Sequence, residues 1–501
     1  MTSQILDKKS LLDQANDALQ EAAKKVNHDH RLGFHIAAPA NWINDPNGLV
    51  YFNGEYHAFY QHHPYDEHWG PMHWGHVKSK DLVHWEHLPI ALAPDHDYDR
   101  DGCFSGSAIV EGDTLYLIYT GHVWVDRAKD IAIQTQCLAS SKDGIHFTKH
   151  EANPIIREIP EDSTGHVRDP KVWKKDETYH MVLGNRTKDD IGRAIHYSST
   201  NLVDWKYEGV IAENTSNVGY MWECPDFFEL DGKHALLFSP QGMVADGDQY
   251  QNLYQTGYLV GDYNENTGKL THGDFKELDH GHDYYAVQTL HDDQGRRIGI
   301  GWMDMWESNM PTKEEGWCGA LTLPRELSIT EDNQVIMKPV EELSLLRKQE
   351  LPIDITEVNN ESIDTGIHED LLELKVEFSL KGLTAEKFGI KVRCSDDNSE
   401  ETVIGVDVKN AKLYLDRDRS GKGVDGIRQT NINVQADSVS LHVYVDRSSV
   451  EVFANDGMIN MTSRIYPKTT SLNVQLFADG GSVTISSAQA WKLKDVWEES
   501  K

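Results

Sequence analysis

Three carboxyl groups stand in segments whose composition singles them out. Asp45 lies in NWINDPNG, where Pro46 and Gly48 impose a sharp bend just ahead of a strand-like run. Asp169 follows Arg168 in HVRDP, so a guanidinium fork and a carboxylate lie side by side, suited to gripping vicinal hydroxyls or balancing an oxocarbenium-like charge. Glu223 sits in MWECPDFF among Trp222, Cys224, Pro225 and Phe227; apolar surroundings favour the protonated form of a carboxyl, as a general acid requires. Splitting a glycosidic bond needs two carboxyl groups on opposite sides of the anomeric carbon, one to protonate the leaving oxygen and one to attack or to activate water. Singly, each has a plainer reading: a turn, an exposed ion pair, or a Glu pairing with an Arg at a domain edge.

The elements that carry them form a repeat. SKDLVHWEHL (79–88), SKDGIHFTKH (141–150) and STNLVDWKYE (199–208) start 62 and 58 residues apart. Each unit opens with a polar signature followed by strand, tight turn and strand: NDPNGLVYFNGEYHAFYQ, FSGSAIVEGDTLYLIYTG, RDPKVWKKDETYHMVLGN and ECPDFFELDGKHALLFSP. A looser fifth copy runs through HDYYAVQTLHDDQGRRIGIGWMD. Radial repetition of such units predicts a β-propeller of about five blades. Asp45, Ser105, Asp169 and Glu223 precede the turn residues Asn53, Gly112, Asp176 and Asp231 by 8, 7, 7 and 8 positions. Equivalent places in successive blades lie at one end of the central channel, so these four residues should converge on one pocket.

NDPNG, FSGSA, RDP and EC, in this order and spacing over nearly the whole chain, resemble glycoside hydrolase family 32. The helical leader, YFNGEYHAFYQHHP and GCFSGSAI are most similar to its branch of bacterial sucrose-6-phosphate hydrolases. The resemblance implies an all-β fold, a five-bladed β-propeller followed by a C-terminal β-sandwich, and retaining hydrolysis of a β-fructofuranoside by double displacement. It implies Asp45 as nucleophile, Glu223 as acid/base and Asp169 as stabiliser of the transition state. Sugar-binding positions carry over to Trp42 and Asn44 around the first motif, Gln61 in FYQ and Trp69 in HWG. They also carry over to Phe104 and Ser105 in FSGS, Arg168 beside Asp169, and Trp302 in GWMD. Ile43 departs from the Met or Leu common at its position, a change of little consequence.

A chain of 501 residues with 39% hydrophobic and 26% charged side chains predicts two domains. The expected organisation is a helical leader (1–30), the propeller (31–340), a helix-like connector (341–352) and the sandwich (353–501). In the leader, Leu11, Leu12, Ala15, Ala18, Leu19, Ala22, Ala23 and Val26 follow helical spacing and predict an amphipathic helix packed on the main body. Beyond Pro352, LLELKVEF, TVIGVDVKNAKLYLD, SVSLHVYVDRSSVEVFAN and SLNVQLFADGGSVTI alternate with period two and carry Asp-Gly and Gly-Gly turn signals, as in a two-sheet sandwich.

With 48 Lys and Arg against 81 Asp and Glu, the net charge of −33 excludes nucleic acid and anionic lipid as partners. An anionic sugar would need a local cluster of Arg, Lys or His. No membrane span, no secretory leader and no cofactor are expected, and five scattered Cys without CxxC spacing suit a reducing, cytoplasmic setting. Eight His between His57 and His87 suggest metal, but they form no HExxH and fall along several strands. DYDRDG (97–102) imitates a calcium loop but puts Ala108 where a bidentate Glu is needed. No metal is expected. The partner is a small sugar: sucrose 6-phosphate, sucrose or short fructans. The alternatives are an arabinan-degrading hydrolase, fructosyl transfer in place of hydrolysis, and a silent sugar-binding protein; the first lacks NDPNG before FSGSA, and intact acids in three motifs oppose the last.

Overall fold

Two-residue hairpin loops set the geometry of the first four units. In the computed structural model, which describes residues 9–214 and 216–498, Phe52 faces Glu55, Glu111 faces Thr114, Lys175 faces Thr178 and Leu230 faces Lys233 across these turns. Asn53, Gly112, Asp176 and Asp231 take φ of 52°, 60°, 53° and 52°, the left-handed conformation that such turns demand and that Asn, Asp and Gly accept most readily. The fifth unit differs, because His291 pairs with Arg297 across a longer loop.

Each unit is a twisted antiparallel sheet. The inner strands are Asn41–Phe52, Gly102–Glu111, Ser163–Lys175, Met221–Leu230 and Tyr285–His291, and each contacts the next around a closed ring. The repeated segments lie between the third and fourth strands of the first three blades, where they build one turn three times. Asp81, Asp143 and Asn201 each accept two backbone N–H bonds through one side-chain oxygen, at 2.8–3.0 Å. Leu82, Gly144 and Leu202 share left-handed φ of 64°, 74° and 66°. The ring closes where Trp317–Cys318 pairs in parallel with Asn41 and Trp42, and Ala320–Leu321 pairs with Arg297–Met303 of the fifth blade.

The predicted helix spans Leu11–Ala23, capped by the Ser10 side chain accepting from the Asp13 N–H at 3.1 Å. It lies on the outer strand Trp85–Leu92, where Ala15 is fully buried and Asn16 accepts from the Ile90 N–H, while Leu11 stays exposed. Residues 1–8 of the expected leader and 499–501 of the expected sandwich lie outside the described residues. The expected connector divides: Glu341–Leu346 is a 3₁₀ turn, and Arg347–Leu351 is a strand paired to Ala490–Leu493 of the second body.

That body is an eleven-stranded ladder folded on itself. Its two halves share Asn473–Leu493, whose first part pairs with Lys387–Cys394 and whose second part pairs with Leu372–Ser379. Here the sequence expectation needs correction, because Gly480-Gly481 is no hairpin turn. It bends one continuous strand, Gly480 taking φ 71°, while a Cβ on Gly481 would meet the Thr384 carbonyl oxygen at 2.4 Å. Leu374, Phe378, Phe388, Ile404, Leu415 and Val443 are among the side chains that fill the space between the two layers.

Buried ion pairs weld the two bodies. His35 contacts Asp446 and Glu451 at 2.8 Å each, and Arg325 bonds Glu451 at 2.7 Å and Asp279 at 2.9 Å. Arg464 and Arg417 both bond Asp283.

Candidate active site

A β-bulge interrupts the ladder between the first and second strands of every blade, at equivalent places. Asn44 and Asp45 lie opposite Gln61, Ser105 is an extra residue between paired neighbours, and Asp169 with Pro170 lies opposite Leu183. Cys224 with Pro225 lies opposite Phe238, and Ala286 with Val287 opposite Gly301. A bulge breaks the strict alternation of a strand and re-aims side chains, here toward the channel axis. Asp169, Cys224 and Ala286 take φ of 64°, 48° and 53°, a conformation held only where surrounding structure over-determines it. Blades three and four approach closely because Gly184, opposite Arg168, has no Cβ; one would fall 1.9 Å from the Trp222 carbonyl oxygen.

The bulges at Asp45 and Asp169, and the one that begins just after Glu223, bring the three acids together. Asp45 Oδ2 accepts from Ser105 Oγ at 2.6 Å, and its Oδ1 accepts from Asn44 Nδ2 at 3.1 Å. Asp169 Oδ2 accepts from the Cys224 backbone N–H at 2.9 Å. The Cys224 thiol touches both acids, 3.5 Å from Asp45 Oδ2 and 3.7 Å from Asp169 Oδ2. Glu223 Oε1 accepts from Arg168 Nη2 at 2.8 Å and Nε at 3.2 Å. Its Oε2 accepts from Gln241 Nε2 at 2.8 Å and Tyr285 OH at 2.5 Å.

The surroundings of Glu223 differ from the sequence expectation. Its apolar neighbours face elsewhere, Trp222 stacking on Phe238 with ring centres 4.0 Å apart, and the carboxylate meets three polar donors from three other strands.

Burial, and after it the charge of Glu223, raises the Asp45 carboxyl, while the bonds from Ser105, Asn44 and Cys224 pull it back. Burial raises Asp169 to about 7 with help from Glu223 and Asp45 and against Arg168. The Arg168 guanidinium bonds Glu223 and lies 3.9 Å from Asp169, leaving Asp45 without a cation, so Asp45 and Asp169 are each raised by burial and by the acids around them. The arrangement places Asp45, which has no countercharge, beside a second carboxyl group, Glu223, hydrogen-bonded through both of its oxygens, the pair that displacement with proton transfer requires.

The acids open into a cavity of about 290 Å³. Asn44, Gln61, Trp69, Phe104, Ser105 and Arg168 line it with Asp45, Asp169 and Glu223. Trp42 and Trp302 do not line it: they are buried, and lie against Trp306 with ring centres 5.8 and 5.0 Å from its own. Trp306 lines the cavity, as do His122, Gln241 and Tyr254. None of these was singled out by the sequence; the one available signal for Trp306 was its place four residues after Trp302.

A larger cavity of about 1020 Å³ opens at the opposite ends of the same strands, around Val50, Val110, Trp173 and Phe228. It contains none of Asp45, Asp169 and Glu223. Two groups of possible metal ligands occur among the described residues, Asp66/Glu67/His68 and Asp95/His96/Asp99. The second is held by the Lys149 ammonium, 2.5 Å from Asp95 and 2.6 Å from Asp99. All five cysteines are buried and unpaired, and no helix among the described residues is long and apolar enough to cross a membrane.

Comparison with known proteins finds matches across both bodies. Residues 35–339 match the Glycosyl hydrolases family 32 N-terminal domain, and residues 342–492 match the Glycosyl hydrolases family 32 C terminal. The chain is 43% identical to a sucrose-6-phosphate hydrolase of Escherichia coli, covering 97% of this chain and 99% of the relative. It is 42% identical to a raffinose invertase of the same organism, covering 97% and 100%. Among solved structures, a mutant Bombyx mori family 32 beta-fructofuranosidase in complex with sucrose superposes with a TM-score of 0.86 at 34% identity, covering 98% and 99%.

Proposed function

The chain belongs to glycosyl hydrolase family 32, and from that premise we propose that it hydrolyses terminal β-D-fructofuranosides at the three-acid cavity, with sucrose 6-phosphate and sucrose as substrates. The observation that carries the reading is the convergence of Asp45, Asp169 and Glu223, from three blades, on one cavity. Asp45 attacks the fructosyl C2 as Glu223 delivers a proton to the leaving glycosidic oxygen, so the C2–O bond breaks as the Asp45–C2 bond forms. Glu223 then takes a proton from water, which displaces Asp45 and frees fructose with retained configuration. Asp169, fixed by the Cys224 N–H, holds negative charge beside the oxocarbenium-like ring. Asn44, Gln61, Trp69, Phe104 and Ser105 line the cavity and contact the sugar. The buried free thiols support a cytoplasmic setting.

The deciding experiment compares kcat/KM for sucrose 6-phosphate, sucrose and an inulin-type trisaccharide at one ionic strength. A preference of tenfold or more for the phosphate, about 1.4 kcal/mol of transition-state binding, assigns the phosphosugar role. Equal turnover of the neutral sugars assigns a general β-fructofuranosidase. No cleavage of any of them removes the hydrolase reading.

Two further expectations follow from the geometry. Ser105→Ala removes a hydrogen bond that favours ionised Asp45, so the acid limb of the kcat/KM profile moves to higher pH and kcat/KM falls about tenfold or more. A profile with an unmoved acid limb refutes that role for Ser105. Trp306→Ala strips an aromatic face from the cavity and raises KM about three- to tenfold with little change in kcat; steady-state kinetics on sucrose decide it.

A further inference from the structure

We propose that Arg127 recognises the phosphate of a phosphorylated fructoside at the mouth of the cavity, an inference that rests on the hydrolase reading of that cavity. The floor repels a phosphate, because three carboxyl groups gather there around a single guanidinium, which bonds Glu223 and lies 3.9 Å from Asp169. In sucrose 6-phosphate the phosphate hangs from the primary hydroxyl of the leaving hexose, remote from the bond that breaks, so it meets the rim and not the acids.

One wall of the cavity is a continuous aromatic surface. Trp69 sets its edge against Phe104 at 6.0 Å, Phe104 stacks on His122 at 4.0 Å, and His122 meets Trp124 at 4.4 Å; all four line the cavity. Arg127, exposed and itself outside the lining, stands over two rings of this wall. Its guanidinium carbon lies 5.4 Å from the Trp69 ring centre and 6.0 Å from that of Trp124. It stands on the short 3₁₀ turn Arg127–Lys129 between the strands Thr114–Asp126 and Ile131–Ser141.

Most acids and cations nearby are already engaged, Glu307 of the cavity lining being in no ion pair among the described residues. Lys129 takes Asp126 at 2.7 Å, while His166 and Arg186 lie 3.3 and 3.6 Å from Asp130. Arg168 is bound to Glu223, and Arg186 also to Asp190. Lys313 lies over Trp42, which does not line the cavity. Among the described residues Arg127 has no carboxylate within ion-pair distance. Its charge still reaches inward: burial first, then Arg168, His166 and Arg127, pushes His122 down to about 3. A guanidinium lying over aromatic faces keeps its N–H edges free, and that fork matches phosphate oxygens in pairs, whereas an ammonium offers a single point of charge.

The test measures kcat/KM of wild type, Arg127→Gln and Arg127→Lys on sucrose 6-phosphate and on sucrose, each at low and high salt. Arg127→Gln is expected to lose about tenfold or more on the phosphosugar and less than about twofold on sucrose. Arg127→Lys is expected to recover part of the loss, and the salt sensitivity of the phosphosugar reaction is expected to flatten in Arg127→Gln. Equal loss on both sugars would make Arg127 a prop for the aromatic wall, and no loss on either would leave the phosphate elsewhere; both overturn the proposal while leaving the hydrolase reading standing. If wild type cleaves neither sugar, the hydrolase reading itself fails.

Discussion

Asp45→Ala is expected to abolish turnover of every fructoside while the protein stays folded. Asp45 is held by two side-chain donors and a thiol, yet it is a partner in no ion pair, so truncation leaves no buried countercharge behind. The substitution removes the group that would form the bond to C2, and nothing else in the cavity replaces it: Asp169 faces the Cys224 N–H, and Glu223 is engaged by Arg168, Gln241 and Tyr285. Glu223→Ala should behave differently in detail. Acid/base catalysis contributes about 10² to 10⁴ in rate, and the penalty should shrink for substrates whose leaving group needs no proton, such as an aryl fructoside with an acidic phenol. Circular dichroism and melting curves establish that both variants fold. Near-normal kcat/KM in either one removes the role assigned to that residue.

The second large effect concerns stability. Arg325→Met is expected to cost about 3–5 kcal/mol, the range seen when one partner of a buried ion pair is deleted. It strands Asp279 and Glu451, both fully buried, at the junction of propeller and sandwich. The same junction carries a pH dependence through His35. Burial alone would lower its imidazole, but the hydrogen bonds and charges of Asp446 and Glu451 outweigh it and raise His35 from 6.5 to about 9. A raised folded value stabilises the protein fully below the unfolded value of 6.5, and that contribution disappears as pH climbs through 9. The urea midpoint should therefore fall between pH 7 and pH 9.5 in wild type and fall less in His35→Gln. Parallel curves for the two proteins would mean that His35 is not charged in the folded state.

The sequence carried much of this architecture, for a physical reason. Asn53, Gly112, Asp176 and Asp231 stand at turns that tolerate few residues, so they mark register, and counting back from them reaches Asp45, Ser105, Asp169 and Glu223. The fifth blade lacks that marker. Its loop from His291 to Arg297 is longer, and Tyr285, which donates to Glu223, consequently passed unnoticed. The polar cage of Glu223 was hidden for another reason: Arg168, Gln241 and Tyr285 reach it from other strands, whereas the adjacent residues Trp222 and Phe227 pack into a core between blades. Local composition says little about a side chain whose partners come from other strands. Gly480-Gly481 misled similarly, since a pair of glycines serves a bend within one strand as well as a turn between two.

Ring closure also sets when activity can appear. Asn41 donates its N–H to the Gly316 carbonyl at 2.8 Å, and Leu321 donates to the Ile36 carbonyl at 2.8 Å, so the first blade finds its last neighbour only after some 280 intervening residues have been made. A ribosome that has delivered four blades has produced Asp45, Asp169 and Glu223 but no ring to hold them in register. Prematurely terminated chains should thus be silent, not weakly active, and the appearance of fructose would time the completion of the circle and not the synthesis of any one motif.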